Sequence, residues 1–296
     1  MKKRVAVMSF LVICLTFVSY VYLNKDDKKS EEKEDIYLKT VVFKDEDNEL
    51  IPVSINFHSQ VELEQEVRNR INLMKSDELK RYGLYPVLSK DLEVLSVGLE
   101  NKVLTLNLND QIVANKDDMS ILEALTFTMT DYDNIDRLKI QINGKDISHL
   151  PNSTIPVSSL TKNLGLNNFV ETSSILHETI PVMVYNEKVI HQYSYYIPTT
   201  IRIDENDSVN EQVKTILSQI QGKIQVVDTS LKNGVLTVKL GSNILLDNEK
   251  IDQTLEDLIV LSLSSLKGVK DVKIKINNED VRTKKTSIIE YNFIKI

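Results

Sequence analysis

An internal repeat constrains the fold of this chain more strongly than any other feature of its sequence. Ile51–Ile55 (IPVSI) matches Ile197–Ile201 (IPTTI) at an offset of 146 residues. Further along, Asn101–Leu108 (NKVLTLNL) matches Asn233–Leu240 (NGVLTVKL) at an offset of 132 residues, with five of eight residues identical. Because the matching segments keep the same order in both halves of the chain, we infer that a domain was duplicated.

Both copies show the same predicted order of elements, ββαββαβ. Apolar residues at steps of four, four and three indicate the first helix of each copy, because this spacing places them on one face. Asn233-Gly234 is typical of a two-residue hairpin turn between the third and fourth strands. We therefore expect an α+β fold in which two helices cover one face of a sheet in each copy. The apolar helix positions are Leu63, Val67, Ile71 and Met74 in the first copy and Val209, Val213, Leu217 and Ile220 in the second.

Two prolines fall at equivalent positions of the second strand in each copy, Pro52 and Pro198. Proline has no backbone N–H to donate to a β-ladder, so it is confined to the edges of sheets. We therefore expect this strand to lie at a sheet edge in both copies.

The beginning of the chain is typical of a membrane anchor. Val5–Leu23 is an uncharged run directly after Lys2, Lys3 and Arg4. As a helix it would be about 28 Å long, close to the ~30 Å hydrocarbon core of a bilayer. The run is too long for the ~7–15-residue apolar core of a cleaved signal peptide, and the basic residues before it favour a cytoplasmic N-terminus. Cys14 lies within the run, where we expect a membrane-buried small residue rather than a lipid-modified one.

These features divide the chain into five predicted segments. They are a cytoplasmic stub and transmembrane anchor (1–23), a charged spacer (24–35), a first domain (36–150), a linker (151–172) and a second domain (173–296). The second domain ends in a strand-like tail, Ser287–Ile296, for which we find no counterpart after the first copy. We expect the tail to add a strand to the sheet of its own domain. The alternative is a donated strand that pairs with another subunit.

Short motifs of the repeat unit, quoted from the first copy and the linker, resemble the GerMN domain family of sporulation and spore germination proteins. The resemblance extends over about residues 36–282. The segments that carry it are Gly83–Lys90, Asn101–Asp110, Glu123–Thr128, Ile140–Gly144 and the inter-domain stretch Leu160–Asn167.

The resemblance implies two ring-building-motif-like domains outside the cytoplasm and a role in assembling the envelope complex that joins mother cell and forespore. It implies no catalysis. The partners implied are proteins of that complex, a second copy of the chain, and the membrane through Val5–Leu23. The usual lipobox is missing, so the uncleaved helix must serve as the anchor. The second copy also lacks the Gly-Leu-x-Pro connection, which accounts for a 14-residue shortening.

Composition argues against the common kinds of active site. The net charge of −7 disfavours nucleic-acid binding, and four histidines with one cysteine make a His/Cys zinc site improbable. The nucleophile elbow, phosphate-binding loop and His-Glu-x-x-His motifs are absent. We therefore predict no enzyme activity, catalytic residue, cofactor or metal. A hydrolase built on a carboxylate pair stays open, since the chain has 43 acidic residues.

Isolated polar residues have simple structural explanations. The histidines, His58, His149, His177 and His191, are expected at the surface or at strand ends. Asp45–Glu49 has enough oxygen atoms to attract a cation, but it lacks the glycine and distal glutamate of an EF-hand loop. We therefore expect a solvated turn there.

The loop and the tail that distinguish the two copies supply the candidate interaction residues. They are Tyr82, Tyr85, Pro86, Tyr291 and Phe293. An alternative function, in ligand binding or as an accessory to cell-wall remodelling, predicts a pocket between the copies lined by Tyr193, Tyr195 and Tyr196. The alternation of these tyrosines also fits an ordinary strand.

Overall fold

The structure is a computed structural model that describes residues 37–57, 62–114, 116–168, 179–246, 250–281 and 292–294. The predicted anchor Val5–Leu23 and the spacer 24–35 lie outside the described residues, as do Cys14, His58, His177 and Tyr291. Within the described ranges, no helix is both long and apolar enough to span a bilayer.

The predicted order ββαββαβ is present twice, and each copy ends in an additional two-residue strand. The first repeat contains β1 (Tyr37–Lys44), β2 (Leu50–Phe57), α1 (Leu63–Met74), β3 (Val94–Glu100), β4 (Val103–Leu108), α2 (Asp118–Met129), β5 (Arg137–Ile142) and β6 (Lys145–Asp146). The second repeat contains β7 (Thr179–Ile190), β8 (Tyr193–Asp204), α3 (Val209–Ser218), β9 (Val226–Lys232), β10 (Val235–Leu240), α4 (Gln253–Ser264), β11 (Asp271–Ile276) and β12 (Glu279–Asp280). The tail contributes β13 (Phe293–Ile294).

Each repeat has a four-stranded sheet with the same topology. The orders are β3-β4-β5-β6 and β12-β11-β10-β9, with the β4–β5 and β10–β11 pairs parallel. Two-residue turns with positive φ join β3 to β4 at Asn101-Lys102 and β9 to β10 at Asn233-Gly234. Positive φ at both turn positions matches the right-handed twist of a hairpin, which explains why this turn is shared.

The helices bury the face that the sequence spacing predicts. Val67, Ile71 and Met74 of α1 are fully buried, and Val213 and Leu217 of α3 are buried likewise. The helix α3 begins with a capping box in which Ser208 and Glu211 exchange hydrogen bonds with each other's backbone N–H. The alternating residues of β4 and β10 complete each core.

The first repeat also buries a charge that the second repeat lacks. Arg70 of α1 is fully buried, and its guanidinium lies 2.9 Å from Glu66 Oε1 and 4.0 Å from the centre of the Tyr132 ring. It also donates to the carbonyl of Thr128 at 2.9 Å. The equivalent position in the second repeat is Ile216, which is also buried. The two cores therefore share their topology but not their chemistry.

The initial hairpins do not join these sheets, contrary to the expected single sheet in each copy. β1 and β2 form a sheet with β13, and β7 and β8 form another. The reason lies in the second helix of each repeat, whose side chains occupy the free edge of the hairpin. Thr128 Oγ1 accepts from the N–H of Val42 at 3.2 Å, and Ser262 Oγ accepts from that of Tyr185 at 2.9 Å. An edge already satisfied by helix side chains cannot extend the four-stranded sheet.

The edge prediction for the prolines is correct for one strand and only partly for the other. β8, which carries Pro198, is an edge strand, whereas β2, which carries Pro52, lies between β1 and β13. The β13 ladder pairs Phe293 with Ser54 and Ile294 with Ile55, so it begins two residues beyond Pro52. At Pro52, β2 therefore still has an edge that is not paired in a ladder.

The described residues of the tail, 292–294, add no strand to the sheet of their own repeat, so that expectation is wrong for them. β13 belongs to the second repeat in sequence but runs parallel to β2 of the first. A counterpart also exists after the first repeat. Leu166 accepts a hydrogen bond from the N–H of Thr200 in β8 at 2.9 Å, and its own N–H donates to Thr200 Oγ1 at 2.8 Å. The segment that follows each repeat thus pairs with the hairpin of the other.

Gly165→Ala is expected to destabilise the chain by about 3 kcal/mol or more. Gly165 has φ +80° and ψ −165°, a backbone region that only glycine adopts readily, and an added Cβ would lie 2.2 Å from Thr200 Oγ1. The measurement is the free energy of unfolding in urea. Gly144→Ala is the matched control, because Gly144 also has positive φ (+74°) but no atom within 4 Å of the added Cβ. It should cost only about 1–2 kcal/mol, and equal losses in both variants would contradict the close packing at Thr200.

Candidate interaction surface

The two repeats are joined by the side chains of two asparagines. Asn167, after the first repeat, accepts from the N–H of Leu50 at 2.7 Å and donates to the carbonyl of Leu50 at 2.8 Å. The same side chain donates to the carbonyl of Pro198 at 2.8 Å. One amide therefore connects β2 of the first repeat to β8 of the second.

Asn292 makes the equivalent contacts from the tail. It accepts from the N–H of Tyr196 at 2.8 Å, donates to the carbonyl of Tyr196 at 2.9 Å and donates to the carbonyl of Pro52 at 2.8 Å. Tyr196 and Pro198 follow Leu50 and Pro52 by the same 146 residues that relate the two copies. The contacts of the two asparagines are therefore related by an approximate two-fold symmetry.

This arrangement explains the paired prolines. At Pro52 and Pro198 the strand edge presents a carbonyl but no N–H, and one N–H of an asparagine amide satisfies it. At Leu50 and Tyr196 the edge presents both groups, and the amide satisfies both. Sequence reasoning missed these asparagines. A signal was present, since an asparagine occurs near the end of each copy shortly before a phenylalanine, in NNF and in NF.

A strap of residues 79–88, which has no equivalent in the second repeat, adds an asymmetric contact. Its carbonyl at Tyr82 accepts from the Tyr195 hydroxyl at 2.8 Å, and the Tyr82 ring meets the Tyr193 ring edge to face at 5.0 Å. Gly83 passes so close to β7 that an added Cβ would lie 2.3 Å from Ile190 Cγ2. The extra length of the first repeat therefore builds part of the junction.

The predicted interaction residues separate into engaged and free groups. Tyr82 packs within the junction, and Tyr85 donates its hydroxyl to Glu46 at 2.6 Å. Pro86 is half-buried. Phe293 is 44% exposed, and it is the one described member of the set with a largely free side chain.

The acidic turn Asp45–Glu49 binds a cation supplied by the chain itself. The ammonium of Lys188 in β7 lies 2.5 Å from Asp45, 2.9 Å from Asp47 and 3.0 Å from Glu49. Residues 46–48 are exposed, as expected for a solvated turn, but the Asp45 side chain is only 2% exposed, so the expectation is wrong for Asp45 alone. Partial desolvation lowers the pKa of Lys188, but the hydrogen bonds to the three carboxylates outweigh it and raise the pKa well above its ordinary value.

Two pockets lie at equivalent places on either side of the junction. The aromatic pocket has a volume of about 270 Å³, and the acidic pocket has a volume of about 410 Å³. Residues 193–195 line the first and residues 47–49 line the second, again 146 residues apart, and each pocket includes one of the two asparagines. The aromatic pocket is lined by Tyr82, Tyr193, Ser194, Tyr195 and residues 292–294.

The aromatic pocket partly matches the predicted tyrosine-lined pocket. Tyr193 and Tyr195 line it, but Tyr196 instead packs against the core of the second repeat. Strand alternation explains the difference, because successive side chains point to opposite faces. Tyr82 is the third tyrosine of the pocket, and sequence reasoning did not place it there.

Glu123 lies at the base of the acidic pocket and holds the segment that follows the first repeat. Its carboxylate accepts from the N–H of Asn167 at 2.9 Å and from that of Asn168 at 3.2 Å. Glu123 is 3% exposed, and its burial raises its pKa to about 8 despite these two hydrogen bonds, with a further contribution from the charge of Asp117.

The described residues contain no group of three or more His, Cys, Asp or Glu side chains that could hold a metal ion. His149 and His191 are both exposed, as expected, and His191 lies in the turn between β7 and β8. The polar groups that do converge are occupied within the chain, Asp45 and Asp47 by Lys188 and Glu123 by backbone N–H groups.

Stability is expected to fall as the pH rises from about 5 to above 8, and Glu123→Gln should remove much of this slope. The pKa of Glu123 is raised in the folded chain, so its stabilising contribution is complete below the unfolded value of 4.5 and is lost as pH rises through about 8. The effect is at most about 5 kcal/mol, since one pKa unit corresponds to about 1.4 kcal/mol. Urea unfolding at several pH values measures it, with exposed Glu78→Gln as the control. An unchanged slope in Glu123→Gln would contradict the raised pKa.

Asn292→Ala is expected to lower the free energy of unfolding by about 2–3 kcal/mol. The substitution removes three hydrogen bonds, each with a net value of about 1 kcal/mol. Thermal and urea unfolding give the measurement. Asn243→Ala is the matched control, because the Asn243 amide is exposed and bonds only the carbonyl of Lys223. A loss no larger than that of the control would show that the asparagine does not join the repeats.

Comparison with known proteins finds similarity to proteins named for sporulation and spore germination. The family described as "Germane: Sporulation and spore germination" matches residues 20–148. The spore germination protein GerM of Bacillus subtilis (strain 168) is 27% identical over 184 residues, which are 55% of this chain and 50% of that protein. The chain therefore spans about half the length of this curated relative.

A solved structure shares the fold over most of both chains. The tandem GerMN domains of the sporulation protein GerM from Bacillus subtilis superpose with a TM-score of 0.70 at 20% identity, covering 83% of this chain and 92% of that one. The resemblance drawn from the sequence motifs is confirmed: the chain is similar to GerM and shares the fold of its tandem GerMN domains.

Proposed function

We propose that this chain is a non-enzymatic assembly component of an extracytoplasmic complex that acts in sporulation or germination. The similarity to a protein named for spore germination supports the process. The helix predicted at Val5–Leu23 is proposed as a single-pass membrane anchor that places both repeats outside the cytoplasm. The partners proposed are other envelope proteins and further copies of the chain.

The observation that carries this proposal is the pair of free sheet edges. Among the described strands, β3 and β9 each end their four-stranded sheet and pair on one side only. An edge strand offers unpaired backbone groups to an incoming strand, which is a common mode of protein recognition. A duplicated chain thus offers two such edges from one body.

Both edges carry an exposed apolar side chain at the same irregularity. The ladder between β3 and β4 has a bulge between Val94 and Ser96 of β3. The ladder between β9 and β10 has a bulge between Val226 and Asp228 of β9. The residues at these bulges are Leu95, 43% exposed, and Val227, 59% exposed, which are related by the 132-residue offset. A bulge re-aims a side chain, so each edge strand presents an apolar side chain to a partner at this position, and β3 also exposes Leu99 (37%).

The Leu95→Lys and Val227→Lys variants are expected to reduce assembly. A charge on an edge strand opposes pairing with another strand. The measurement combines chemical cross-linking of the tagged full chain in sporulating cells with the yield of heat-resistant spores. We expect cross-linked complexes to decrease at least fivefold and spore yield to fall with them.

Leu246→Lys is the control, because Leu246 is a loop residue that is 50% exposed. This variant should assemble and sporulate like the natural chain. Full assembly by the edge variants would contradict the use of these edges. Clearing of a peptidoglycan suspension by the purified chain would contradict the non-enzymatic role.

A further inference from the structure

The edge strand β3 has outward backbone groups over a short stretch near its hairpin turn. The two-residue turn at Asn101-Lys102 closes on a hydrogen-bonded pair, Glu100 and Val103. Bonded residues alternate along an antiparallel ladder, so Val97 and Leu99 direct their N–H and carbonyl groups away from β4. Among the described strands, β3 pairs with β4 alone, so these groups lie on a free edge.

The other end of β3 is less open. The carbonyl of Val94 accepts a hydrogen bond from the guanidinium of Arg68 in α1, and the bulge at Leu95 interrupts the regular ladder. The regular free edge is therefore limited to residues 96–100. A stretch of this length fits an equally short partner strand.

Gly98 lies at the centre of this stretch, and nothing within the described residues requires a glycine there. It is not among the residues with positive φ, and an added Cβ would meet no atom within 4 Å. Glycine weakens the interior of a strand and often marks a place where another backbone approaches closely. The equivalent residue of the second repeat is Ser230, so the fold itself does not need glycine at this position.

An antiparallel pairing of two β3 strands centred on Gly98 is self-complementary. It brings Val97 of each copy opposite Leu99 of the other, so that outward backbone groups bond to each other and two apolar pairs form. Leu99 is 37% exposed in the single chain and gains an apolar neighbour in the pair. Glu100, the one charged residue of the stretch, lies opposite Ser96 rather than opposite a second glutamate.

The corresponding edge β9 is less suited to this pairing. By the same alternation the N–H of Thr229 points outward, but it already donates to Asp228 Oδ1 at 2.9 Å. In the equivalent register, pairing of β3 with β9 of another copy would place Glu100 opposite Asp228. Like charges directly opposite each other are destabilising, so the best partner for β3 is another β3.

We propose that β3 is the contact between two copies of this chain, which pair antiparallel about a two-fold axis at Gly98. The two four-stranded sheets become continuous across this contact. A second copy is the occupant because the stretch complements itself in backbone groups, apolar side chains and charge. A two-fold contact uses the same surface on both copies, so β9 stays free for a different protein. The inference deepens the proposed assembly function, on which it rests, by naming the strand at which copies meet.

Disulfide cross-linking of the full chain in detergent micelles tests the contact. Cys14 is replaced by serine, so that an introduced cysteine is the only one. Gly98→Cys should form a disulfide-linked dimer under mild oxidation, because the two positions face each other at a Cα separation of about 4.5 Å. Ser230→Cys is the matched control, since Ser230 is exposed at the equivalent position of β9. We expect at least tenfold more dimer from Gly98→Cys, and equal yields would overturn the proposal.

Two further cysteine variants test the register. A mixture of Ser96→Cys and Glu100→Cys chains should cross-link between copies, because these positions lie opposite each other. Ser96→Cys alone should not, since its two cysteines lie about 13 Å apart along the strands, too far for a disulfide. A mixture that fails to cross-link, or cross-linking of Ser96→Cys with itself, would overturn the pairing centred on Gly98.

Gly98→Lys tests the association without a cross-link. It places two like charges opposite each other at the axis, so sedimentation velocity should show at least tenfold weaker dimerisation. Ser230→Lys should leave dimerisation unchanged. Thermal unfolding of both variants checks the fold, which has open space for a side chain at Gly98. Unchanged dimerisation in Gly98→Lys would overturn the proposal.

The purified chain and the chain in cells separate this inference from the proposed function. A chain that dimerises through Gly98 but forms no cross-linked complex in sporulating cells would overturn only the proposed function. Complexes in cells without dimerisation of the purified chain would overturn only the contact at β3.

Discussion

The need to satisfy the outward backbone groups of β2 and β8 determines how the two repeats are joined. Neither hairpin can extend the four-stranded sheet of its own repeat, because helix side chains such as Thr128 and Ser262 already occupy the other edge. The remaining edges face each other, and Asn167 and Asn292 connect them. An asparagine amide has both donor N–H groups and an acceptor oxygen. It can therefore bond the N–H and carbonyl of one strand residue and also the carbonyl of a proline, which has no N–H.

The junction between the repeats also has contacts that do not follow the approximate two-fold symmetry. The strap of residues 79–88 and the Lys188 contact with the acidic turn exist on one side only. As a result, two pockets at equivalent places differ, since one is lined by carboxylates with internal partners and the other by tyrosine and phenylalanine rings. Duplication therefore produced two pockets at equivalent places, and substitution gave their linings different chemistry.

Several features were predictable because they depend on neighbours in sequence. The helical stripe of Val67 and Ile71, the Asn233-Gly234 turn and the Ser208 capping box are local patterns, and all are present. The order of elements follows from them. The tail was predicted on the wrong sheet because a short strand carries no information about its partner. The burial of Asp45 within its exposed turn was not predicted because nothing near it in sequence reveals Lys188, which is 143 residues away.

Periodicity, turn residues and the repeat were thus sufficient to predict a duplicated α+β chain with a GerMN-like pattern. Periodicity and turns depend on contacts within a few residues, and the repeat is found by comparing the chain with itself. Three features required tertiary contacts. They are the hydrogen bonds of Asn167 and Asn292 to the hairpins of both repeats, the separate sheets of the hairpins, and the different linings of the two equivalent pockets. Their physical cause is the same in each case. A buried polar group takes a partner that is near in space, and only the folded chain specifies which residue that is.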